Sequence, residues 1–184
     1  GAAQDLIDAG STADGKLVYS LIENGDFNIV AGDDGIHADE TLNITGGNIV
    51  ISKSYEGIEA TNIVISGGYI DITSSDDGMN AAGGNDGNTN VGGRPGGDMF
   101  GGGTGTVSIS GGYIIMHNEG DGLDSNGTVD ISGGVVLVDG PSSGGNGSFD
   151  YNSTATITGG VVAMFGISDM AENFTEATQG SILV

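Results

Sequence analysis

The sequence predicts an all-β chain: a right-handed parallel β-helix of about six coils, with about three short strands in each. Three observations carry this. A paired glycine recurs with a period near 22 residues, apolar and polar residues alternate on both sides of it, and the apolar positions fall into the same columns in every copy. The second glycines are Gly47, Gly68, Gly112, Gly134 and Gly160, and a degenerate copy from Ile22 to Gly35 adds Gly25. The steps are 22, 21, 44, 22 and 26 residues, and the 44 contains an insertion. A β pattern at such a period marks a solenoid in which each repeat is one coil.

The first strand of each coil is read from two inward columns, Ile36/Ile58/Met79/Leu123/Phe149 and Ala38/Ala60/Ala81/Ser125/Tyr151. The second carries Leu42/Ile63/Val107/Val129/Ala155 and Ile44/Ile65/Ile109/Ile131/Ile157, just before the glycine pair. The third follows it with Ile49/Ile70/Ile114/Val136/Val162 and Ile51/Ile72/Met116/Val138/Met164. Inward positions in pairs imply short strands separated by turns, with the glycines where positive φ is cheap. The chain forms one domain over 1–184, with an irregular N-terminal coil or cap at 1–21, where Ala2–Ala9 is the only helical hint. A Gly-rich insertion at 83–104 separates the first and second strands of its coil, and a shorter excursion runs over 140–147. Residues 167–184 read as a further coil or a cap, because an open sheet edge invites pairing.

Composition narrows the function. The 184 residues hold 25 Asp+Glu against 3 Lys+Arg, a formal net charge of -22, which is the wrong sign for nucleic acid. A hydrophobic fraction of 36% with strong periodicity argues against disorder. Without cysteine there is no disulfide and no Cys-based zinc site, and no apolar run is long enough to insert in a membrane. Lacking an initiator Met and a signal peptide, the chain reads as a processed or trimmed piece.

Carboxylates recur as regularly as the glycines. "GDDGIH" (32–37), "YEGIEA" (55–60), "SDDGMN" (75–80) and "GDGLDS" (120–125) each place one or two acids before a glycine, an apolar residue and another polar one. The outward position of the first strand reads His37, Glu59, Asn80, Asp124, Asp150. Three residues earlier sit Asp34, Glu56, Asp77, Asp121 and Gly147, with Asp33 and Asp76 preceding two of them. Equivalent residues of successive coils lie about 4.8 Å apart. Bare carboxylates at that spacing repel by roughly 3–4 kcal/mol at an effective dielectric near 20. A divalent cation reverses that sign, and an all-oxygen, irregular ligand set points to calcium. One candidate site joins Glu56 and Glu59 to Asp76, Asp77 and Asn80; a second joins Asp77 and Asn80 to Asp121 and Asp124; a third uses Asp33 and Asp34. The competing reading is a row of solvated turn aspartates, since Asp-Gly is common in turns. His37 interrupts the oxygen series and reads as a bystander, and Asn126 and Asn152 read as a hydrogen-bonding ladder.

"DFNIVAGDDGIHAD", "SYEGIEATNIVISGGYIDITSSDDGMNAAGG" and "GDGLDSNGTVDISGGVV" resemble the bacterial cell-surface carbohydrate-binding β-helix family, whose members are similar in fold to polysaccharide lyase family 9. The resemblance covers about residues 17–184 and includes the tail "SDMAENFTEATQGSILV". It implies a right-handed parallel β-helix, calcium in the acidic column, secretion to the cell surface or beyond, and binding of cellulose or acidic polysaccharide. Family members extend further at both ends.

Two other functions are weighed against non-catalytic binding. The related lyases use calcium and a lysine or arginine base, and this chain offers only Lys16, Lys53 and Arg94. Lys53 lies three residues before Glu56, but neighbouring carboxylates favour the protonated ammonium, the wrong state for a base. The other function is structural: a solenoid with incomplete ends can self-associate into a surface fibre. A carbohydrate or partner surface is read on the outside of the third strand, where Tyr69 and Tyr113 stand on adjacent coils beside Ile115 and Leu137. Stacked tyrosines present apolar rings and hydroxyls to a glucan, unless Met99 and Phe100 of the insertion cover them.

Overall fold

A computed structural model describes residues 19–82 and 104–183, and among these there is no helix. The first, incomplete coil holds β1 (Tyr19–Ile22) and β2 (Asp26–Val30). The next two hold β3 (Ile36–Ile44) with β4 (Asn48–Lys53), and β5 (Ile58–Ile65) with β6 (Tyr69–Ser74). Three coils of three strands follow: β7 (Met79–Ala81), β8 (Thr106–Ile109), β9 (Tyr113–Asn118); β10 (Leu123–Ser125), β11 (Thr128–Ile131), β12 (Val135–Asp139); and β13 (Phe149–Tyr151), β14 (Thr154–Ile157), β15 (Val161–Phe165). A short β16 (Glu176–Ala177) ends the series. The pairings are parallel and join each coil to the next, building a parallel β-solenoid of about six turns.

The columns expected from the repeat are the columns observed. Ile22, Ile44, Ile65, Ile109, Ile131 and Ile157 stack through successive strand pairs, all buried. Each β-branched side chain meets its own kind above and below, which suits the pleated surface. The strands form two sheets. One runs β13-β10-β7-β5-β8-β11-β14-β16, with β3 and β1 joined on through β5; the other runs β15-β12-β9-β6-β4-β2.

One expectation is corrected. The first two strand segments are separate in the later coils, but β3 and β5 run through the corner unbroken, with a register shift between Ala38 and Thr41. Those corners contain no glycine and no positive φ, so the chain bends while staying extended. The glycine pairs behave as expected, and the second member takes positive φ, 98° at Gly47 and 97° at Gly68. The glycines that follow the acids, Gly35, Gly57, Gly78 and Gly122, are absent from the positive-φ set. They are there for space. A Cβ on Gly35 would lie 2.7 Å from the Gly57 carbonyl oxygen and 2.7 Å from Ile51 Cγ2, and Gly57, Gly78 and Gly122 face the same obstruction one coil on.

Of the N-terminal coil or cap expected over 1–21, residues 19–21 belong to β1, and residues 1–18, with the helical hint at Ala2–Ala9, lie outside the described residues. The insertion likewise lies outside them over 83–103. At the other end β16 pairs with β14, and Phe174 packs on Phe149 with ring centroids 5.0 Å apart. This covers the end of the ten-stranded sheet. The last strand of the other sheet, β15, keeps Val161 and Phe165 59% and 67% exposed.

If these glycines serve close approach, Gly57→Ala costs about 1–3 kcal/mol of stability through overpacking. Thermal unfolding measures it, and a melting temperature equal to that of the parent chain would contradict the steric role.

Candidate functional site

The acidic edge is built where the chain enters the first strand of each coil. His37, Glu59, Asn80, Asp124 and Asp150 share one register across β3, β5, β7, β10 and β13. The turn before them is locked coil to coil: Gly35 N–H donates to the Glu56 carbonyl (3.0 Å), Gly57 to Asp77 (2.9 Å), Gly78 to Asp121 (2.8 Å) and Gly122 to Gly147 (3.1 Å). The absence of a Cβ permits this ladder, and the ladder brings the acids together. The edge is therefore enclosed: Asp34, His37, Glu59 and Asn80 are all buried. Asp33, Asp76, Asp77, Asp121 and Asp124 are half-buried.

Two clusters result. In the first, Asp77, Asp121 and Asp124 each offer an oxygen within 4.8 Å of the others'. Asp77 Oδ1 accepts from Asp121 N–H at 2.7 Å, and Asp121 Oδ1 accepts from Gly147 N–H. Burial, then the charge of Asp121, pushes Asp77 up to about 8, and burial followed by Asp121 lifts Asp124 to about 7. Asp121 rises to about 6 through burial, against the Gly147 hydrogen bond. Asn80 stands in the register between Glu59 and Asp124. Its Nδ2 donates to Glu56 Oε1 at 2.9 Å, while its Oδ1 is buried with no hydrogen-bond partner. Gly120 lets the acids of the previous coil approach its backbone, since a Cβ there would overlap the carboxylates of Asp76 and Asp77. Convergent oxygens and an orphaned amide oxygen fit a hard, oxygen-preferring cation.

In the second cluster, His37 Nδ1 lies 2.7 Å from Glu59 Oε2 and 3.5 Å from Asp34 Oδ2. His37, expected to stand aside, sits inside the series. Its ring occupies the register position that carboxylates and an amide take in later coils, and alignment alone showed that position but not its enclosure. Of the expected ligands, Asp77, Asp121 and Asp124 converge as read. Glu59 is drawn instead to His37, and Glu56 to Asn80. Asp76 takes a hydrogen bond from the Tyr55 phenol, and its charge helps hold that hydroxyl protonated. Asp33 is half-buried outside both clusters. Burial and the neighbouring Glu59 push Glu56 up to about 10. Asn152 Nδ2 donates to Asn126 Oδ1 at 2.9 Å, the ladder read from sequence.

On the outer face of the six-stranded sheet, Tyr69 and Tyr113 lie with ring planes 8° apart and centroids 5.9 Å apart. Ile115 and Leu137 are half-buried beside them, and Tyr69 Oη donates to Asp71 Oδ2 at 3.2 Å. The expected cover from Met99 and Phe100 lies outside the described residues, as do Lys16 and Arg94. Lys53 is exposed at the end of β4.

A family profile described as carbohydrate-binding domain-containing protein matches residues 1–94. No curated protein and no solved structure matches the chain.

The raised carboxyls set a pH dependence for the cation-free protein. Unfolded carboxyls lose their protons near pH 4, whereas Asp121, Asp124 and Asp77 keep theirs to about 6, 7 and 8. Between these limits the unfolded chain binds fewer protons, so for these three groups stability is highest in acid, falls as pH rises from about 4, and levels off above about 8. Melting temperatures of desalted protein across that range test it, and a flat profile would contradict the buried, uncompensated cluster.

Proposed function

Because the chain belongs to the family of carbohydrate-binding domain-containing proteins, we propose that it is a secreted, non-catalytic protein that holds calcium on its acidic edge and binds acidic polysaccharide there. The observation that carries this reading is the Asp77–Asp121–Asp124 cluster, half-buried carboxylates within 4.8 Å of one another. Calcium takes about 6–8 oxygens. The three carboxylates and Asn80 Oδ1 supply part of that number, and uronate carboxylates of a glycan can supply more. Calcium would serve as the bridge between two anionic surfaces that otherwise repel, which suits a chain of net charge -22.

A lyase needs a base at the carbon that calcium acidifies. Among the described residues the ion pairs to carboxylates are all made by histidine, and Lys53 points its charge into solvent. This supports binding over catalysis. A second reading, self-assembly into fibres, draws on the open edge of β15 and its exposed Val161 and Phe165. Size exclusion with and without calcium separates the two.

Calcium at about 100 times its dissociation constant adds about 2.7 kcal/mol of stability. Asp77→Asn is expected to abolish most of that gain while leaving the calcium-free melting temperature unchanged or higher, because the amide still accepts from Asp121 N–H and cannot ionise in the half-buried site. Asp150→Asn keeps the gain. Equal calcium responses in both variants would move the ion elsewhere.

A glycan array run with calcium, with chelator, and with the Tyr69→Ala/Tyr113→Ala pair tests the substrate and the face. Calcium-dependent binding to polygalacturonate that survives loss of the tyrosines is expected. Binding that persists in chelator and disappears with the tyrosines would transfer the site to the outer sheet face.

A further inference from the structure

We propose that Asp34, His37 and Glu59 form a second metal site, selective for a borderline transition ion such as zinc rather than for calcium. The three side chains come from two adjacent coils and are only 2%, 7% and 4% exposed. One ligand atom from each lies within 4.8 Å of the others. Nδ1 of His37 is 2.7 Å from Glu59 Oε2 and 3.5 Å from Asp34 Oδ2. A tetrahedral zinc site spaces its ligand atoms by about 3.3 Å, so the two separations at His37 need only a small adjustment.

The donor set decides the metal. An imidazole nitrogen suits zinc and its neighbours, whereas calcium takes oxygen. The Asp77 cluster is all oxygen and this one is not. Nε2 of the same ring faces Asp39 Oδ1 at 3.9 Å, which places a carboxylate behind the ligating imidazole, as in many zinc sites. The cluster stands beside a further acid and, among the described residues, no cationic side chain balances it. Glu56 Oε2 is buried without a hydrogen-bond partner, and the nearest charges acting on Glu56 include Glu59 and Asp34. Its backbone N–H reaches Asp34 Oδ1 at 3.4 Å. The Glu56 backbone thus helps fix the Asp34 carboxylate, and the three side chains leave the fourth position of a zinc site to water. With neutral imidazole, zinc brings the charge of the Asp34–His37–Glu59 set from two negative to zero.

The test uses tag-free full chain saturated with calcium, so that the Asp77 cluster is already filled. Zinc and cobalt(II) are the probes, with dialysis for stoichiometry and the visible cobalt spectrum for coordination. The expected result is one equivalent bound in the presence of excess calcium. Loss of outer-shell partners alone costs about 10–100-fold in affinity, so His37→Gln is expected to weaken zinc by about 100-fold or more. The same variant keeps the calcium-induced rise in melting temperature, and Asp77→Asn keeps zinc. The chain has only 2 histidines, so nitrogen-15 histidine spectra of the unmutated protein give an independent reading: zinc shifts the Nδ1 signal of His37 and not that of His117. No zinc retained against calcium, zinc affinity unchanged in His37→Gln, or an unshifted His37 ring would each overturn the site.

Discussion

In-register parallel stacking is the constraint on which everything else here depends. Each coil lies one interstrand spacing from the next, so every side chain rests on its counterpart. Inside, this produces ladders such as Ile44–Ile65–Ile109–Ile131, where like shapes fill space without voids. On the acidic edge the same rule forces carboxylate onto carboxylate. A fold that builds its core by repetition cannot repeat an acid without creating an electrostatic problem at the same spacing.

The glycines connect the two consequences. Gly35, Gly57, Gly78 and Gly122 lack a Cβ because the next coil's carbonyl and an interior side chain occupy that space. Close approach tightens the entry turns and withdraws the acids in part from water, with Asp34 and Glu59 buried and Asp77, Asp121 and Asp124 half-buried. Desolvation is accordingly the leading cause of the upward shifts at Glu56, Asp77, Asp121 and Asp124, ahead of mutual repulsion. Charged groups held this way require a compensating cation or a proton. The chain provides almost no lysine or arginine for the purpose, and its histidine lies at one position of the series only.

The matched family segment, residues 1–94, contains Asp77 but neither Asp121 nor Asp124. The first cluster therefore joins acids from both sides of that segment's end, across an insertion that leaves the register intact. Asp124 still pairs with Asn80, although 44 residues separate them. Repetition makes long sequence separations short in space, and a glycan meeting this edge would meet a single surface.

Much of this protein was legible in its residues because a solenoid writes its contacts as a period. Columns, the parallel class, the positive-φ glycines and the Asp77–Asp121–Asp124 grouping follow from aligning the repeats, since neighbours in space are equivalents in sequence. What alignment could not show is enclosure. Asp-Gly reads the same whether its glycine turns the chain or clears room for the next coil, and only the packed coils distinguish them. His37 likewise reads as an interruption until the fold places Nδ1 2.7 Å from Glu59. Register is a property of the pattern; burial, and with it the protonation of the acids, belongs to the tertiary structure, because it depends on how closely neighbouring backbones approach.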